Sequence, residues 1–248
     1  MRILAVNDDG INEKGLQVLT EVLRKQHDVS VIAPDKNRSG VSHGFTMNSP
    51  LCLHKVGEQQ FTCSGLPADC TIEGCKGALG FIPDIVVSGI NRGANIGTDI
   101  LYSGTAAGAR QGAIYGIPSI AISLESKINK WNFNPLAHFV LDNIEKLIQL
   151  CDKNVFLNIN ALDLQEKETY KGAKLTVPSL RDYRDLLEFY TSPNGDTYSF
   201  FRGGSIITKP GESTDFAAVE NKCISISRIN AQPQAIKGVA VPTFTLRG

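Results

Sequence analysis

No window of this sequence stays apolar over the roughly 18 residues that a membrane helix needs. No block of like charge marks a tail. The formal net charge is zero and the sequence pI is about 6.9, so nothing predisposes the chain to bind a nucleic-acid backbone. The six cysteines form no C-x-x-C pair, and only four histidines accompany them, which argues against zinc. They read as reduced thiols of a cytoplasmic protein. The opening MRILAVNDD has one basic residue and a short apolar run before two acids, unlike a signal peptide. Three motifs are also missing: G-x-G-x-x-G after the first strand, a Walker A sequence and a G-x-S-x-G elbow. No internal repeat or low-complexity tract is visible.

What is present is a chain of 248 residues, 42% of them apolar. That suffices for one large domain, or a domain with an appendage, without disulfides. Short apolar runs at Ile3–Val6, Asp28–Pro34, Pro83–Asn91, Ile117–Ser123 and Val155–Asn160 read as buried strands. Helical spacing fills the intervals at Gly15–Gln26, Gly104–Gly116 and Pro135–Cys151. This alternation predicts an α/β, doubly wound, mostly parallel sheet: a Rossmann-like, three-layer fold. It fades after about residue 165. Residues 1–165 are therefore expected to form the core domain, with residues 166–248 as a C-terminal hairpin and oligomerisation arm packed on it. Asn194-Gly195 lies between aromatic-rich segments, a β-hairpin signal. The proline-containing stretch from about Asn230 reads as an arm that needs a surface.

Ligands of such sheets bind at the carboxyl ends of strands, and three loops fall there. The first is Asn7-Asp8-Asp9-Gly10. Alone, Asp-Gly is turn chemistry and an Asp before a helix is a cap. The alternative is a pair of hard oxygen ligands for a cation. The second loop, Asn37–Gly44, holds Arg38, Ser39 and His43. Arg38 can grip a phosphate or pair with a surface acid; His43 is a general-acid candidate or a solvated loop residue. The third, Ser88–Gly112, interleaves glycines with Asn91, Asn95, Asp99, Ser103 and Thr105. Ser103, Gly104 and Thr105 open a helix, whose free amides and dipole favour an anion. Taken together, a cation between Asp8 and Asp9 would relieve their repulsion, with Ser39 and Asn91 completing its oxygen shell. Such donors suit Mg²⁺ or Mn²⁺. A cation beside a phosphate cradle is the layout of a metal-dependent phosphate enzyme. Asp8 or Asp9 would position the attacking water or act as its base, and a phospho-aspartate is the less favoured route.

At these residues the chain resembles the SurE-type stationary-phase survival proteins, metal-dependent 5′/3′-nucleotidases. The match lies in NDDG (Asn7–Gly10), APDKNRSG (Ala33–Gly40), PADC (Pro67–Cys70) and PDIVVSGINRGANIGTDILYSGT (Pro83–Thr105). IPSIAIS, LNIN (Leu157–Asn160) and the hairpin region ending in Gly-Gly add to it. It is dense over residues 1–123 and thinner to about 227. The resemblance implies that Asp8, Asp9, Ser39 and Asn91 hold the divalent cation. It implies that Asn95, Ser103, Gly104 and Thr105 contact the phosphate of a nucleoside monophosphate. It also implies a homodimer or homotetramer built through an exchanged C-terminal arm and hairpin. No nucleic-acid duplex or membrane partner is expected. The chain departs from the family at Gln111, where a glutamate is usual, at Leu66, at Thr176-Val177 and at Ser213–Asp215. None of these is an expected metal ligand; they bear on substrate preference and local packing. Two other readings compete. One is a nucleotide-binding regulatory protein without efficient hydrolysis, suggested by Gln111 and the altered C-terminal half. The other is a glycosyltransferase whose acid pair holds a sugar-nucleotide's metal.

Overall fold

The computed structural model describes residues 1–164, 168–209, 211–235 and 238. The expected domain boundary near residue 165 and most of the expected arm, residues 236–237 and 239–248, lie outside them.

Chain order runs β1 (Arg2–Val6), α1 (Lys14–Leu23), β2 (Asp28–Pro34), β3 (Leu53–Gly57), β4 (Gln60–Cys63), α2 (Pro67–Lys76) and β5 (Ile85–Arg92). A 3₁₀ turn at Gly97–Leu101 leads to α3 (Gly104–Ile114), β6 (Ser119–Glu125), α4 (Asn134–Leu150) and β7 (Val155–Leu162). Then come β8 (Ala173–Thr176), β9 (Arg181–Tyr183), β10 (Leu186–Thr191), β11 (Thr197–Gly203), β12 (Ile206–Thr208), α5 (Asp215–Glu220) and β13 (Ile224–Asn230).

The main sheet has the order β3-β4-β2-β1-β5-β6-β7-β13-β8. Strands β4, β2, β1, β5, β6 and β7 run parallel. β3 is antiparallel to β4, and β13 is antiparallel to β7. The fold is α/β, as the alternation predicts. Because side chains alternate across a strand, Ile3 and Ala5 pack under α1 and α4, while Leu4 and Val6 join the cysteine-containing cluster of α2. The chain leaves β1 toward β2 and returns to β5 on the other side. That strand-order switch places the loops after β1 and β5 side by side, where an open sheet offers its crevice.

Several elements escaped the periodicity. β3 and β4 carry exposed or half-exposed residues apart from Cys63, so they lack a buried stripe. β13 buries Ser225 and Ser227 beside Ile224 and Ile226, and both serines hydrogen-bond Thr176 Oγ1 at 2.8 Å. The hairpin exists, but residues 192–196 connect β10 to β11, closed by Ser192 N–H donating to Asp196 O at 2.8 Å. Asn194-Gly195 is thus inside a five-residue loop rather than forming the whole turn.

α1 lies unusually close to the end of β5. A Cβ on Gly15 would sit 2.0 Å from the Ile90 carbonyl oxygen, so only glycine admits this packing. Gly15→Ala is expected to destabilise the protein by about 3 kcal/mol, as overpacking against backbone does. Thermal or denaturant unfolding would measure this; an unchanged midpoint would show that α1 can shift freely.

Candidate active site

The turn after β1 is closed by Asn7, whose Nδ2 donates to Gly10 O at 2.8 Å while its Oδ1 accepts Gly10 N–H at 3.2 Å. The turn holds Asp8 and Asp9 at the strand tip. Neither caps a helix: α1 begins only at Lys14, with Glu13 before it making no side-chain cap. That removes the capping alternative for the acid pair.

Asp8 is 4% exposed. Its Oδ1 accepts a short hydrogen bond from Thr105 Oγ1 in the first turn of α3. Burial pushes the Asp8 carboxyl up to about 6, against the opposing Thr105 bond, and Asp9 pushes it further up. Asp9 is half-buried, and burial raises it too, with Glu13 adding to the rise and the Arg92 and Ser39 contacts opposing it. Ser39 Oγ and Asn37 Nδ2 each donate to Asp9 Oδ1 at 3.4 Å. Asn91 Nδ2 donates to Gly93 O at 2.8 Å, which leaves its carbonyl oxygen as the donor atom for a cation.

Ser103 is the N-cap of α3; its Oγ accepts Ala106 N–H at 3.0 Å. A Cβ on Gly104 would lie 2.7 Å from Asp8 Cβ, so the helix end presses directly on the buried acid. Asp8, Ser39, Asn91, Asn95 and Ser103 line one cleft of about 350 Å³. The Thr105 hydroxyl is committed to Asp8, because a buried carboxylate needs a donor. Asn95 is likewise held. Its Nδ2 donates to Ser123 Oγ and its N–H to Asn160 Oδ1, both at 2.8 Å. Its carbonyl accepts from Asn158 and Asn160 Nδ2, at 2.8 and 3.2 Å.

Arg38 and His43 do not line the cleft. The Arg38 guanidinium donates to Ser64 O at 2.8 Å and pairs with Asp35 at 3.4 Å. His43 Nε2 meets Gln111 Oε1 at 2.9 Å. Burial lowers the His43 pKa, against the Gln111 bond. Both residues fasten the loop that carries Ser39. Asp69, from the PADC segment, holds the same loop by accepting Thr46 N–H at 2.9 Å and Thr46 Oγ1 at 2.8 Å.

The residues unremarked in the sequence come mostly from the C-terminal half. Asp215, fully buried, accepts Gly97 N–H and Ser179 N–H at 2.8 Å each, tying the 3₁₀ turn to that half. Arg181 pairs with Asp99. Burial raises the Asp99 pKa and Arg181 opposes it. Arg92, Asp99, Tyr102 and Tyr183, with Gly40 and Ala94, complete the cleft lining. Periodicity fades where Arg181 and Tyr183 lie, so no local pattern marked them, and Asp215 stood out only within Ser213–Asp215, as a departure from the family.

Among the described residues, no three His, Cys, Asp or Glu side chains converge on a point. The available donors are two carboxylates, a hydroxyl and an amide oxygen, a hard-oxygen set that suits a divalent cation such as Mg²⁺ or Mn²⁺ and not a soft metal. Among the described residues no helix is long and apolar enough to cross a membrane.

Comparison with known proteins agrees with this architecture. The model of the family described as survival protein SurE matches residues 3–185. The 5′-nucleotidase SurE of Kosmotoga olearia is 41% identical over 239 residues, covering 93% of this chain and 92% of its own. That of Thermosipho melanesiensis is 40% identical over 235 residues, covering 93% and 91%. The crystal structure of the SurE protein from Aquifex aeolicus superposes with a TM-score of 0.82 at 36% identity, covering 94% of this chain and 95% of that one.

Burying an ionised Asp8 beside Asp9 costs stability that the Thr105 bond only partly offsets. In chelator at pH 7, Asp8→Asn is expected to stabilise the fold by about 1–3 kcal/mol, because the neutral amide keeps the Thr105 bond without the charge. A lowered unfolding temperature for this variant would show that the carboxylate stabilises the metal-free fold.

Proposed function

This chain belongs to the survival protein SurE family, and on that premise we propose that it is a metal-dependent phosphomonoesterase. It releases phosphate from nucleoside 5′-monophosphates, with 3′-monophosphates as a second class to assay. The observation that carries this reading is one cleft that joins Asp8, Ser39 and Asn91 to the N-terminus of α3 at Ser103.

Asp8, Asp9, Ser39 and Asn91 would hold Mg²⁺ or Mn²⁺. When bound, that ion supplies Lewis acidity and positive charge for the phosphoryl oxygens. The chain supplies the rest. Thr105 holds Asp8 in one orientation through its hydroxyl. Asp9, the more accessible acid, orients water for in-line attack or takes its proton. The Ser103 hydroxyl and the first amides of α3 face the transferring phosphoryl and stabilise its charge. Asn95 also lines the cleft, fixed by Ser123 and Asn160. Arg38 and His43 act as anchors of the Ser39 loop. Gln111 bonds His43 and is outside the cleft, so it offers the non-hydrolytic reading no support.

We also infer a homodimer or homotetramer built through the hairpin. Phe189, Tyr190, Tyr198 and Phe201 on β10 and β11 are all at least half exposed, and an isolated two-stranded hairpin is marginal without a partner surface. The six unpaired cysteines support a cytoplasmic location.

The deciding assay is phosphate release from a panel of nucleoside 5′- and 3′-monophosphates with Mg²⁺ or Mn²⁺, then with EDTA. Release should vanish in EDTA, and Asp8→Asn should lower kcat by at least about a hundredfold. A folded Asp8→Asn protein with full turnover would overturn the mechanism. A demand for a diphosphate donor would favour the glycosyltransferase. For assembly, Phe189→Asp combined with Phe201→Asp should reduce the mass found by sedimentation to that of one chain; an unchanged mass would move the interface elsewhere.

A further inference from the structure

The cleft extends beyond the acids. Its lining also includes Asp99, Tyr102 and Tyr183, and Tyr183 comes from the C-terminal half. The two tyrosine rings meet edge to face, with centroids 6.2 Å apart and planes at 89°. Aromatic groups favour such edge-to-face or offset contacts, so a third ring can add to the pair. Tyr102 is 57% exposed, a large apolar surface left beside a polar site. The Tyr183 hydroxyl is buried and has no hydrogen-bond partner among the described residues, which is costly unless a ligand completes it.

β9 is fixed where it stands. Arg181 pairs with Asp99, and its N–H donates to Thr98 Oγ1 at 3.3 Å. Arg181 and Tyr183, two apart on the strand, share the face toward the 3₁₀ turn, while Asp182 is exposed. The Arg181–Asp99 ion pair, the Thr98 bond and the pairing of Tyr183 with Ile206 on β12 thus fix the strand that brings Tyr183 to the cleft.

We propose that Tyr102 and Tyr183 are specificity-determining residues that receive the nucleobase of the substrate, with the Tyr183 hydroxyl bonding a polar edge of the base. This rests on the phosphomonoesterase reading above. A phosphate ester lacking a base would engage the Asp8 and Ser103 end and leave both tyrosines untouched.

The test is steady-state kinetics of the intact protein on adenosine 5′-monophosphate and on ribose 5-phosphate. Tyr102→Ala and Tyr183→Ala should each raise KM for the nucleotide about tenfold, the scale of one lost base–aromatic contact. Values for ribose 5-phosphate should stay within about twofold. Tyr183→Phe should lose less than Tyr183→Ala. An equal loss on both substrates, or no loss on either, overturns the proposal. If wild-type protein hydrolyses neither ester, the phosphomonoesterase reading fails. Equilibrium binding of adenosine 5′-monophosphate against inorganic phosphate then decides: weakening for the nucleotide alone supports the tyrosine wall, and any other pattern refutes it. Unfolding midpoints check that each variant is folded. Should Tyr183→Ala not fold, Tyr102→Ala, on an exposed position, decides the matter alone.

Discussion

Everything at this site depends on burying one carboxylate. Asp8 is nearly inaccessible, and an ionised group there must find donors inside the protein. The fold answers with the N-terminus of α3, brought so close that Gly104 has no room for a side chain beside Asp8. The same close approach continues along the helix. A Cβ on Gly108 would lie 2.9 Å from both Val6 Cγ2 and Ser88 Oγ, and one on Gly112 would lie 2.3 Å from Ser119 Oγ. Residues 104, 108 and 112 are spaced by one helical turn, so one glycine stripe lays α3 flush on β1, β5 and β6. The small-residue character of this helix is thus a consequence of where Asp8 must be, rather than a weakness of the helix.

A second constraint ties the distant half of the chain to this point. Asn158 and Asn160, two apart on β7, present the same face and grip the backbone of Asn95. Asp215 grips Gly97 two residues further on. Buried polar groups survive only when their partners are all in place, so the segment 95–97 can take few other paths. The loop after β5 is long and rich in glycine, yet side chains from β7 and from the start of α5 hold it like a strand.

Much of this was legible in the sequence, for a physical reason. Parallel strands covered on both faces are continuously apolar, so β1, β2, β5, β6 and β7 announce themselves, and their carboxyl ends locate the acids. Asp8-Asp9, Ser39 and the opening of α3 could be named because their chemistry is local. What stayed hidden is non-local or polar. β13 buries serines in place of aliphatic residues, and α2 buries cysteines, threonine and Asp69, so neither shows a clean apolar stripe. Sequence shows that a helix begins at Thr105, and not that its hydroxyl bonds the buried Asp8. Asp215, Arg181 and Tyr183 gain meaning only from the topology that inserts β13 between β7 and β8 and carries the chain back to the cleft.

The site is thereby built from parts held in different ways. Asp8, Asn95 and Ser103 are buried and locked by strands and a helix end, so their geometry is as stiff as the core. Ser39 is exposed on a loop fastened through His43, Arg38 and Asp69, by hydrogen bonds that each contribute only about 1 kcal/mol net. Asp9 stands between the two, covalently next to the rigid acid and hydrogen-bonded to the loop at 3.4 Å, the long end of the range. A positive charge placed there would draw Ser39 and Asp9 inward against little resistance while leaving Asp8 where it is. In such a site the rigid acid would fix the position of the centre, and the loop would carry the adjustment that accepting a ligand requires.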